Sequence, residues 1–287
     1  MSLPRPLPRL RDVAGDYDAL MCDIWGVIHN GRDVFDEAIE AIRRFQETRG
    51  PVALISNSPR PSSEIPAQFA QLGAPRDISD LIVTSGDATQ DELKHRAPGP
   101  AYKLGPARDE PIYDGTGLDF AGIDKAAFIS CTGLVDDATE GPEDYRELLS
   151  RAAERGLPMV CANPDIVVQR GDATIWCAGA LAQLYEKLGG EVVLAGKPHE
   201  AIYRLTFERL NETAGRAVPR ERILAIGDSL GNDIAGANGQ GVDALFIGGG
   251  IHGAEVSSAA GVDIDALDRK LKERGLTARY AAAALAW

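Results

Sequence analysis

The sequence predicts an α/β fold built on a Rossmann-like, doubly wound parallel sheet, with a second α/β unit inserted into it. From Ala19 onward, apolar runs of strand length alternate with amphipathic helical stretches, and short glycine or proline turns separate them. This alternation of strands and helices is interrupted in the middle third of the chain and then resumes. We therefore expect residues 1–84 and 195–287 to form one core domain and residues 85–194 to form an inserted α/β domain with its own small core.

The first third of the chain shows this alternation most regularly. Apolar residues recur at helical spacing in two stretches, and the first stretch ends at Gly50, a residue type that commonly terminates helices. We predict helices over residues 36–49 and 62–72. The strands predicted beside them are residues 19–22, 52–56 and 81–84.

The middle and last thirds are interpreted in the same way. A helix ending near Arg96 leads into a glycine- and proline-rich stretch, residues 98–117. The remaining middle elements are a strand at 126–131, a helix at 142–155 and a strand at 158–161. The last third predicts a helix at 199–211, a strand at 223–226, a short helix from Asp233, a strand at 244–247 and a packed terminal helix over the alanine-rich residues 281–284.

Composition and charge exclude several functions. The chain has 287 residues, 44% of them hydrophobic and 25% charged, which is typical of a globular protein. No apolar run approaches the ~18 to 20 residues of a membrane span, and residues 1–10 lack a secretory signal and are interpreted as an unstructured leader. A net charge of −13 disfavours nucleic acid and anionic membranes as partners. We expect a cytoplasmic protein whose four scattered cysteines are reduced and buried.

Four polar segments each follow a predicted core strand. They are Asp23-Ile24-Trp25-Gly26, Ser56-Asn57-Ser58, Gly196-Lys197-Pro198 and the segment from Gly227 to Asp233, which contains Asp228. Because the carboxyl ends of parallel strands meet at one edge of a sheet, we expect these segments to form one site. The set offers oxygen ligands for Mg²⁺, a cation and a hydroxyl for phosphoryl oxygens, and an aspartate for in-line attack.

In the identity and order of these four motifs, the chain resembles the haloacid dehalogenase superfamily, and within it the class IIA branch of sugar-phosphate and nitrophenyl-phosphate phosphatases. The turn Asn163-Pro164-Asp165 is typical of that branch. The resemblance spans about residues 18–250 and implies that the inserted domain is a cap. It also implies a small phosphorylated metabolite as the substrate, and it leaves a homodimer open.

The resemblance assigns roles to individual residues. It implies that Asp23 is the nucleophile that forms an aspartyl-phosphate, and that Ser56, Asn57 and Lys197 hold the phosphoryl group. Asn163 and Asp165 would face the substrate from the cap. The implied Mg²⁺ ligands are the carboxylates of Asp23 and Asp228 and the backbone carbonyl of Trp25, with Asp233 orienting water or Lys197 from behind them.

Trp25 departs from the family pattern. Most phosphatases of this superfamily carry, two residues after the nucleophile, a carboxylic acid that protonates the leaving alkoxide and then activates water. Its loss costs roughly 10²- to 10⁴-fold in rate, which matters least when the leaving group is weakly basic. We hypothesise that His29, six residues past Asp23, replaces this acid/base, although a surface or flap position for it is the plainer alternative. Trp25 itself can pack between core and cap or form an aromatic wall for a substrate.

The sequence therefore favours a Mg²⁺-dependent phosphatase that acts through a phospho-aspartate. Two alternatives stay open at this point. The first is a different displacement at Asp23, such as carbon–halogen cleavage, which the intact pair Asp228 and Asp233 disfavours because those enzymes need no metal. The second is a phosphometabolite-binding protein that has lost most or all of its catalysis.

Overall fold

The computed structural model describes residues 3–79, 81–170, 173–249, 256–258 and 261–287. Its strands are, in chain order, β1 (Arg5–Pro6), β2 (Ala19–Asp23), β3 (Val52–Ser56), β4 (Leu81–Thr84), β5 (Ala101–Leu104), β6 (Phe128–Cys131), β7 (Met159–Cys161), β8 (Val167–Arg170), β9 (Ala173–Trp176), β10 (Val192–Leu194), β11 (Ile223–Gly227), β12 (Asp243–Ile247), β13 (Ser257–Ser258), β14 (Gly261–Val262) and β15 (Tyr280–Ala282). Its α-helices are α1 (Asp36–Thr48), α2 (Ile65–Gln71), α3 (Ser85–His95), α4 (Arg146–Glu154), α5 (Ala178–Lys187), α6 (Glu200–Ala214), α7 (Ala235–Gln240) and α8 (Ile264–Glu273).

The chain divides into two compact units, which we call the core unit and the insert unit. The core unit consists of Met1–Ser56, Pro66–Val83 and Tyr203–Trp287. The insert unit consists of Asn57–Ile65 and Thr84–Ile202. The domain boundaries expected after residues 84 and 194 stay a prediction.

A seven-stranded sheet forms the centre of the core unit, in the order β1-β15-β12-β11-β2-β3-β4. The pairs β2–β3, β2–β11, β11–β12, β12–β15 and β1–β15 are all parallel. In register, Cys22 lies beside Ile226 and Asp23 lies beside Ile55, so β2, β3 and β11 end at the same edge. The predicted α/β fold with a mainly parallel sheet is confirmed.

The insert unit has a parallel four-stranded sheet of its own, in the order β10-β7-β6-β5. Helices α4 and α5 bury Leu149, Leu181 and Tyr185 against its strands, and this cluster is a hydrophobic core separate from that of the large sheet. β8 and β9 form an antiparallel hairpin outside this sheet. That hairpin was not among the elements predicted from the sequence.

Local sequence explains where the helices begin and end. Helix α1 buries Ile39, Ile42 and Phe45 on one face, as predicted, and ends at Thr48. A Cβ at Gly50 would lie 2.2 Å from the carbonyl oxygen of Asp18, so the chain can turn here only with a glycine. Helix α3 begins with a capping box, in which Thr84 and Asp87 exchange side-chain and backbone hydrogen bonds.

Two predictions about local structure are wrong. The alanine-rich end is not a helix, because Tyr280–Ala282 forms β15, which is buried between β1 and β12. Sheet pairing here overrides the high helix propensity of alanine. Residues 3–10 are not an unstructured leader, since β1 joins the same sheet and Leu7 and Leu10 are buried. The glycine- and proline-rich stretch 98–117 contains the strand β5.

All four cysteines are buried, as predicted, and none of them is in a disulfide. Within the described part of the chain, no helix combines the length and the apolar character needed to cross a bilayer.

Candidate active site

Three carboxylates meet at the edge of the core sheet. Asp23 is the last residue of β2, and Asp228 follows the last residue of the neighbouring strand β11. The side chains of Asp23, Asp228 and Asp233 are buried, and each offers a carboxylate oxygen within 4.8 Å of the other two. The parallel register of β2 and β11 brings the first two together, because both strands end at this edge.

Two glycines allow the backbone to approach this acidic cluster. A Cβ at Gly26, which has φ +84°, would lie 2.2 Å from Oδ2 of Asp228. A Cβ at Gly227 would lie 2.1 Å from Cγ of Asp233. Any side chain at either position would occupy the space of a carboxylate, so the sequence Trp25-Gly26 and the sequence Gly227-Asp228 both require glycine for steric reasons.

The third carboxylate is held in place by the turn that carries it. One wide helical turn, residues 230–234, follows β11, and the Ser229 hydroxyl accepts a hydrogen bond from the Asn232 N–H at its start. Oδ2 of Asp233 accepts a hydrogen bond from the N–H of Ser229 at 3.0 Å. This bond fixes one oxygen of Asp233 to the loop and leaves the carboxylate beside those of Asp23 and Asp228.

The donor set of the cluster fits a divalent cation of the Mg²⁺ type. Three buried carboxylates this close repel one another in a low-dielectric site, and a bound cation offsets that repulsion. Carboxylate and carbonyl oxygens are the ligands that Mg²⁺ prefers, whereas histidine and cysteine, which favour zinc, are not part of the cluster among the described residues. Asp23 also has one oxygen directed by the N–H of Ile24, which donates to Oδ1 at 2.7 Å.

The segment after Asp23 folds into a tight turn that buries His29. The N–H of Gly26 donates to the carbonyl of His29 at 2.7 Å, and Trp25 and His29 pair as an isolated bridge. Nδ1 of His29 accepts a hydrogen bond from the N–H of Gly31, its ring packs edge-on against Phe69, and Nε2 has no hydrogen-bond partner among the described residues.

Burial sets the protonation state of His29. Because the side chain is only 2% exposed and the charged form is poorly solvated, the pKa of His29 falls to about 4. The imidazole is therefore neutral at pH 7, with Nδ1 unprotonated and accepting the hydrogen bond from the N–H of Gly31. Trp25 is half-buried, and its indole nitrogen lies 3.3 Å from the position of a Cβ on Gly31.

A second polar cluster, in the insert unit, contains the predicted lysine. The backbone N–H of Lys197 donates to Oδ1 of Asn57 at 2.7 Å, and Nδ2 of Asn57 donates to the carbonyl of Lys197 at 3.1 Å. The same Nδ2 donates to Oδ1 of Asp165 at 3.1 Å. Asn57 and Lys197 are both buried, although 140 residues separate them in sequence.

The predicted Asn163-Pro164-Asp165 turn belongs to this second cluster. Oδ1 of Asn163 accepts a hydrogen bond from the N–H of Asp165 at 3.0 Å, which is an Asx turn. A Cβ at Gly196 would lie 2.6 Å from Cδ of Pro164 and 2.8 Å from Oγ of Ser85. The insert unit therefore packs this turn, Asn57 and the residue before Lys197 against one another.

Sequence reasoning missed part of this second cluster. Ser85 begins α3, and its buried Oγ has no hydrogen-bond partner among the described residues. Nothing in the local sequence distinguishes it from an ordinary residue of a first helical turn, so only its place beside Gly196 indicates it. The other predicted residue, Ser56, is the half-buried last residue of β3 in the core unit.

Comparison with known proteins identifies the family. A family model described as haloacid dehalogenase-like hydrolase matches residues 20–119, and a second one, described as HAD-hydrolase-like, matches residues 194–272. The crystal structure of a hydrolase of the haloacid dehalogenase-like family from Brucella suis 1330 is 42% identical, covers 97% of this chain and 99% of its own, and gives a TM-score of 0.85. The chain therefore belongs to the haloacid dehalogenase-like hydrolases.

More distant relatives carry specific names. A p-nitrophenyl phosphatase from Archaeoglobus fulgidus shares the fold at 22% identity, with 94% of this chain and 97% of that chain covered and a TM-score of 0.71. The D-glycerol 3-phosphate phosphatase of Mycobacterium tuberculosis is 24% identical over 85% of this chain and 67% of that protein. The predicted resemblance to the superfamily and the prediction of a hydrolase are confirmed.

Proposed function

We propose that the protein is a Mg²⁺-dependent phosphatase that hydrolyses a small phosphorylated metabolite through an aspartyl-phosphate on Asp23. The observation that carries this proposal is the buried cluster of Asp23, Asp228 and Asp233 at the carboxyl edge of the core sheet. Relatives named as phosphatases support the same reaction class. A cytoplasmic location is part of the proposal.

The acidic cluster would hold the metal. The ligands from the chain would be the carboxylates of Asp23 and Asp228 and the backbone carbonyl of Trp25, with Asp233 orienting water beside them. When bound, Mg²⁺ supplies a Lewis acid that neutralises charge on phosphoryl oxygens. The backbone carbonyl of residue 25 is present whatever side chain that residue carries, so the indole leaves this ligand set intact.

The reaction then needs a nucleophile and a cation. A carboxylate oxygen of Asp23 forms a bond to phosphorus, the ester P–O bond breaks, and the leaving oxygen takes its proton from water. Water then attacks the aspartyl-phosphate, which releases inorganic phosphate and restores the carboxylate. In this proposal Ser56, Lys197 and Asn57 hold the phosphoryl group, with Asn57 acting through its hydrogen bonds to the backbone of Lys197. The Lys197 ammonium offsets the negative charge of the phosphoryl group.

Substrate choice follows from position 25. Without a carboxylic acid there, the leaving oxygen lacks its usual proton donor, so we expect aryl phosphates, acyl phosphates or anhydrides to react faster than alkyl phosphates. Burial lowers the pKa of His29 and keeps its ring neutral at pH 7, so His29 cannot protonate the leaving group. As the proposed acid/base it would accept a proton from the hydrolytic water, and the lowered pKa makes it a weak base for that step. We assign Asn163 and Asp165 to substrate contacts from the insert unit.

The first experiment measures phosphate release from p-nitrophenyl phosphate with Mg²⁺ and with EDTA. We expect turnover that needs the metal and that is lost in Asp23→Asn, which keeps the shape of the side chain but removes the nucleophile. Asp36→Asn, at the start of α1, is a matched control for a change of aspartate outside the cluster. Turnover that persists in EDTA, or in Asp23→Asn, would contradict the proposal.

A second candidate function is phosphometabolite binding without turnover. Trp25, which stands where the acid/base is usual, is the observation that favours it. In that case a panel of phosphorylated metabolites would raise the melting temperature of the protein in the presence of Mg²⁺ while no phosphate is released. A third candidate, displacement of halide at Asp23, predicts chloride release from haloacids without metal, which the buried acidic cluster disfavours.

A further inference from the structure

The side-chain amide of Asn57 is fully engaged within the insert unit. A carboxamide has one carbonyl oxygen and two N–H donors. Its oxygen accepts the N–H of Lys197, and its nitrogen donates to the carbonyl of Lys197 and to Oδ1 of Asp165. The three distances lie between 2.7 and 3.1 Å, which is the normal range for such bonds.

This bonding pattern fixes the orientation of the amide. The N–H of Lys197 can pair only with an acceptor, so the oxygen of Asn57 must face it, and both N–H donors then face carbonyl or carboxylate oxygens. No N–H of the Asn57 amide is left over for an oxygen of a phosphoryl group. The hydrogen bonds to Lys197 and Asp165 therefore compete with the expected role of this side chain as a direct phosphate ligand.

We infer that Asn57 is a positioning residue for Lys197 and does not bind the phosphoryl group through its side chain. The amide holds both backbone groups of residue 197, which sets the direction in which the lysine side chain leaves the backbone, and it ties that backbone to the Asn163-Pro164-Asp165 turn through Asp165. Gly196 has no room for a side chain beside Asn57, so the chain approaches the amide closely. This inference rests on the proposed function for its catalytic meaning.

A double-mutant cycle between Asn57→Ala and Lys197→Ala tests it. If Asn57 acts through Lys197, Asn57→Ala lowers kcat/KM by roughly 10- to 100-fold in the wild-type chain but by less than about threefold in the Lys197→Ala chain. If the Asn57 amide contacts the phosphoryl group directly, the two losses multiply, which would overturn the inference. The same cycle is also read from the rise in melting temperature caused by inorganic phosphate with Mg²⁺, which needs no turnover.

Asn238 provides a matched control in the core unit. Its amide makes the same two bonds to the backbone of Thr277, with Nδ2 donating to the carbonyl at 2.8 Å and Oδ1 accepting the N–H at 2.7 Å. Asn238→Ala therefore removes an equivalent pair of side-chain-to-backbone hydrogen bonds outside the candidate site. We expect it to lower stability without changing kcat/KM, and a loss of kcat/KM as large as that of Asn57→Ala would show that the effect at Asn57 is general destabilisation.

Hydrogen–deuterium exchange separates this inference from the proposed function. The amide of Lys197 should exchange slowly in the wild type and at least about tenfold faster in Asn57→Ala, whereas Asn238→Ala should leave it slow. A wild-type protein that releases no phosphate would refute the proposed function. In that case the exchange result and the phosphate-binding cycle would still test whether Asn57 positions Lys197. Equal exchange of the Lys197 amide in the wild type and in Asn57→Ala would refute the positioning role of Asn57 and leave the proposed function untouched.

An isosteric variant covers the case in which Asn57→Ala does not fold. Asn57→Asp keeps an acceptor for the Lys197 N–H but turns carboxylate oxygens toward the Lys197 carbonyl and the Asp165 carboxylate. We expect it to lower kcat/KM and the phosphate-induced rise in melting temperature. Adding Asp165→Asn returns a donor to this contact and should recover most of the rise in melting temperature caused by inorganic phosphate, a readout that does not depend on the substrate contact assigned to Asp165. No recovery would contradict the link to Asp165.

Discussion

The Asp228 carboxylate lies so close to the backbone of Gly26 that a Cβ atom on this glycine would stand 2.2 Å from Oδ2 and 2.5 Å from Cγ. The φ of Gly26 is +84°, which a residue with a Cβ adopts at a cost of about 1 to 2 kcal/mol. The turn after β2 is thus shaped both by its backbone conformation and by contact with Asp228, which follows the neighbouring strand β11. Each of the two effects can be measured alone.

Gly26→Ala should lower the free energy of unfolding by roughly 1 to 3 kcal/mol more than Gly73→Ala. Gly73 has φ +80° and nothing within 4 Å of its Cβ position, so its substitution reports backbone strain without a clash. Because the alanine methyl would displace the Asp228 carboxylate, Gly26→Ala should also reduce the Mg²⁺-induced rise in melting temperature. Urea unfolding and thermal melts measure both effects, and equal results for the two variants would argue against crowding at Asp228.

Asp228→Asn should separate metal binding from folding. It removes one of three buried negative charges, so we expect the free energy of unfolding in EDTA to be no lower than that of the wild type. The same change removes a charged ligand, so most of the stabilisation by Mg²⁺ should disappear. Thermal melts with and without Mg²⁺ give both quantities. A variant that keeps the full response to Mg²⁺ would show that the cation binds elsewhere.

The stability of the protein should fall with acid because of His29. The pKa of His29 is lowered to about 4 by burial, while an unfolded histidine titrates near 6.5. The contribution of His29 is therefore fully present above about pH 6.5 and is lost as the pH falls toward 4, because the unfolded chain binds the proton first. Between about pH 7.5 and about pH 5 this amounts to roughly 2 kcal/mol.

His29→Asn isolates that contribution. An asparagine oxygen can replace Nδ1 as the acceptor for the N–H of Gly31, and it does not titrate in this range. Urea unfolding in EDTA at the two pH values should show a smaller acid loss in the variant than in the wild type, by roughly 2 kcal/mol. His199, whose pKa burial also lowers, is present in both proteins and cancels in the difference. The same acid loss in both proteins would refute the assignment to His29.

The fold was predictable from the sequence where a pattern is repeated locally. Strand β3 and strand β4 have the bounds that their apolar runs predict, and β2 and β11 each extend by one residue. The meeting of Asp23 and Asp228 followed from the rule that neighbouring parallel strands end at one edge. These inferences need only the order of the elements along the chain.

What could not be predicted depends on contacts between distant residues. Tyr280–Ala282 is a strand because β12 and β1 lie on either side of it, and no feature of an alanine run contains that information. The amide of Asn57 bonds to a backbone 140 residues away, so its motif alone predicts a phosphate contact or a helix cap and not this bond. Burial of His29 against Phe69 likewise depends on a contact between residues far apart in the sequence, so the motif around His29 does not predict it.

Trp25→Asp should restore a proton donor and so change the preference among leaving groups. An acid/base of this kind contributes roughly 10²- to 10⁴-fold, and most of that benefit goes to poor leaving groups. We therefore expect kcat/KM for an alkyl phosphate such as glycerol phosphate to rise by about 10²-fold or more, and kcat/KM for p-nitrophenyl phosphate to change by less than about threefold. The backbone carbonyl at position 25 is retained, so Mg²⁺-induced stabilisation should not change.

The matched control for this substitution is Trp25→Asn, which has the size of aspartate but carries no transferable proton at neutral pH. It removes the half-buried indole in the same way, so any effect of opening space beside Gly31 appears in both variants. A gain for alkyl phosphates in Trp25→Asp alone would assign the missing step to proton transfer. Equal gains in the two variants, or equal gains for alkyl and aryl phosphates, would mean that the indole limits access of the substrate and not the protonation of its leaving group.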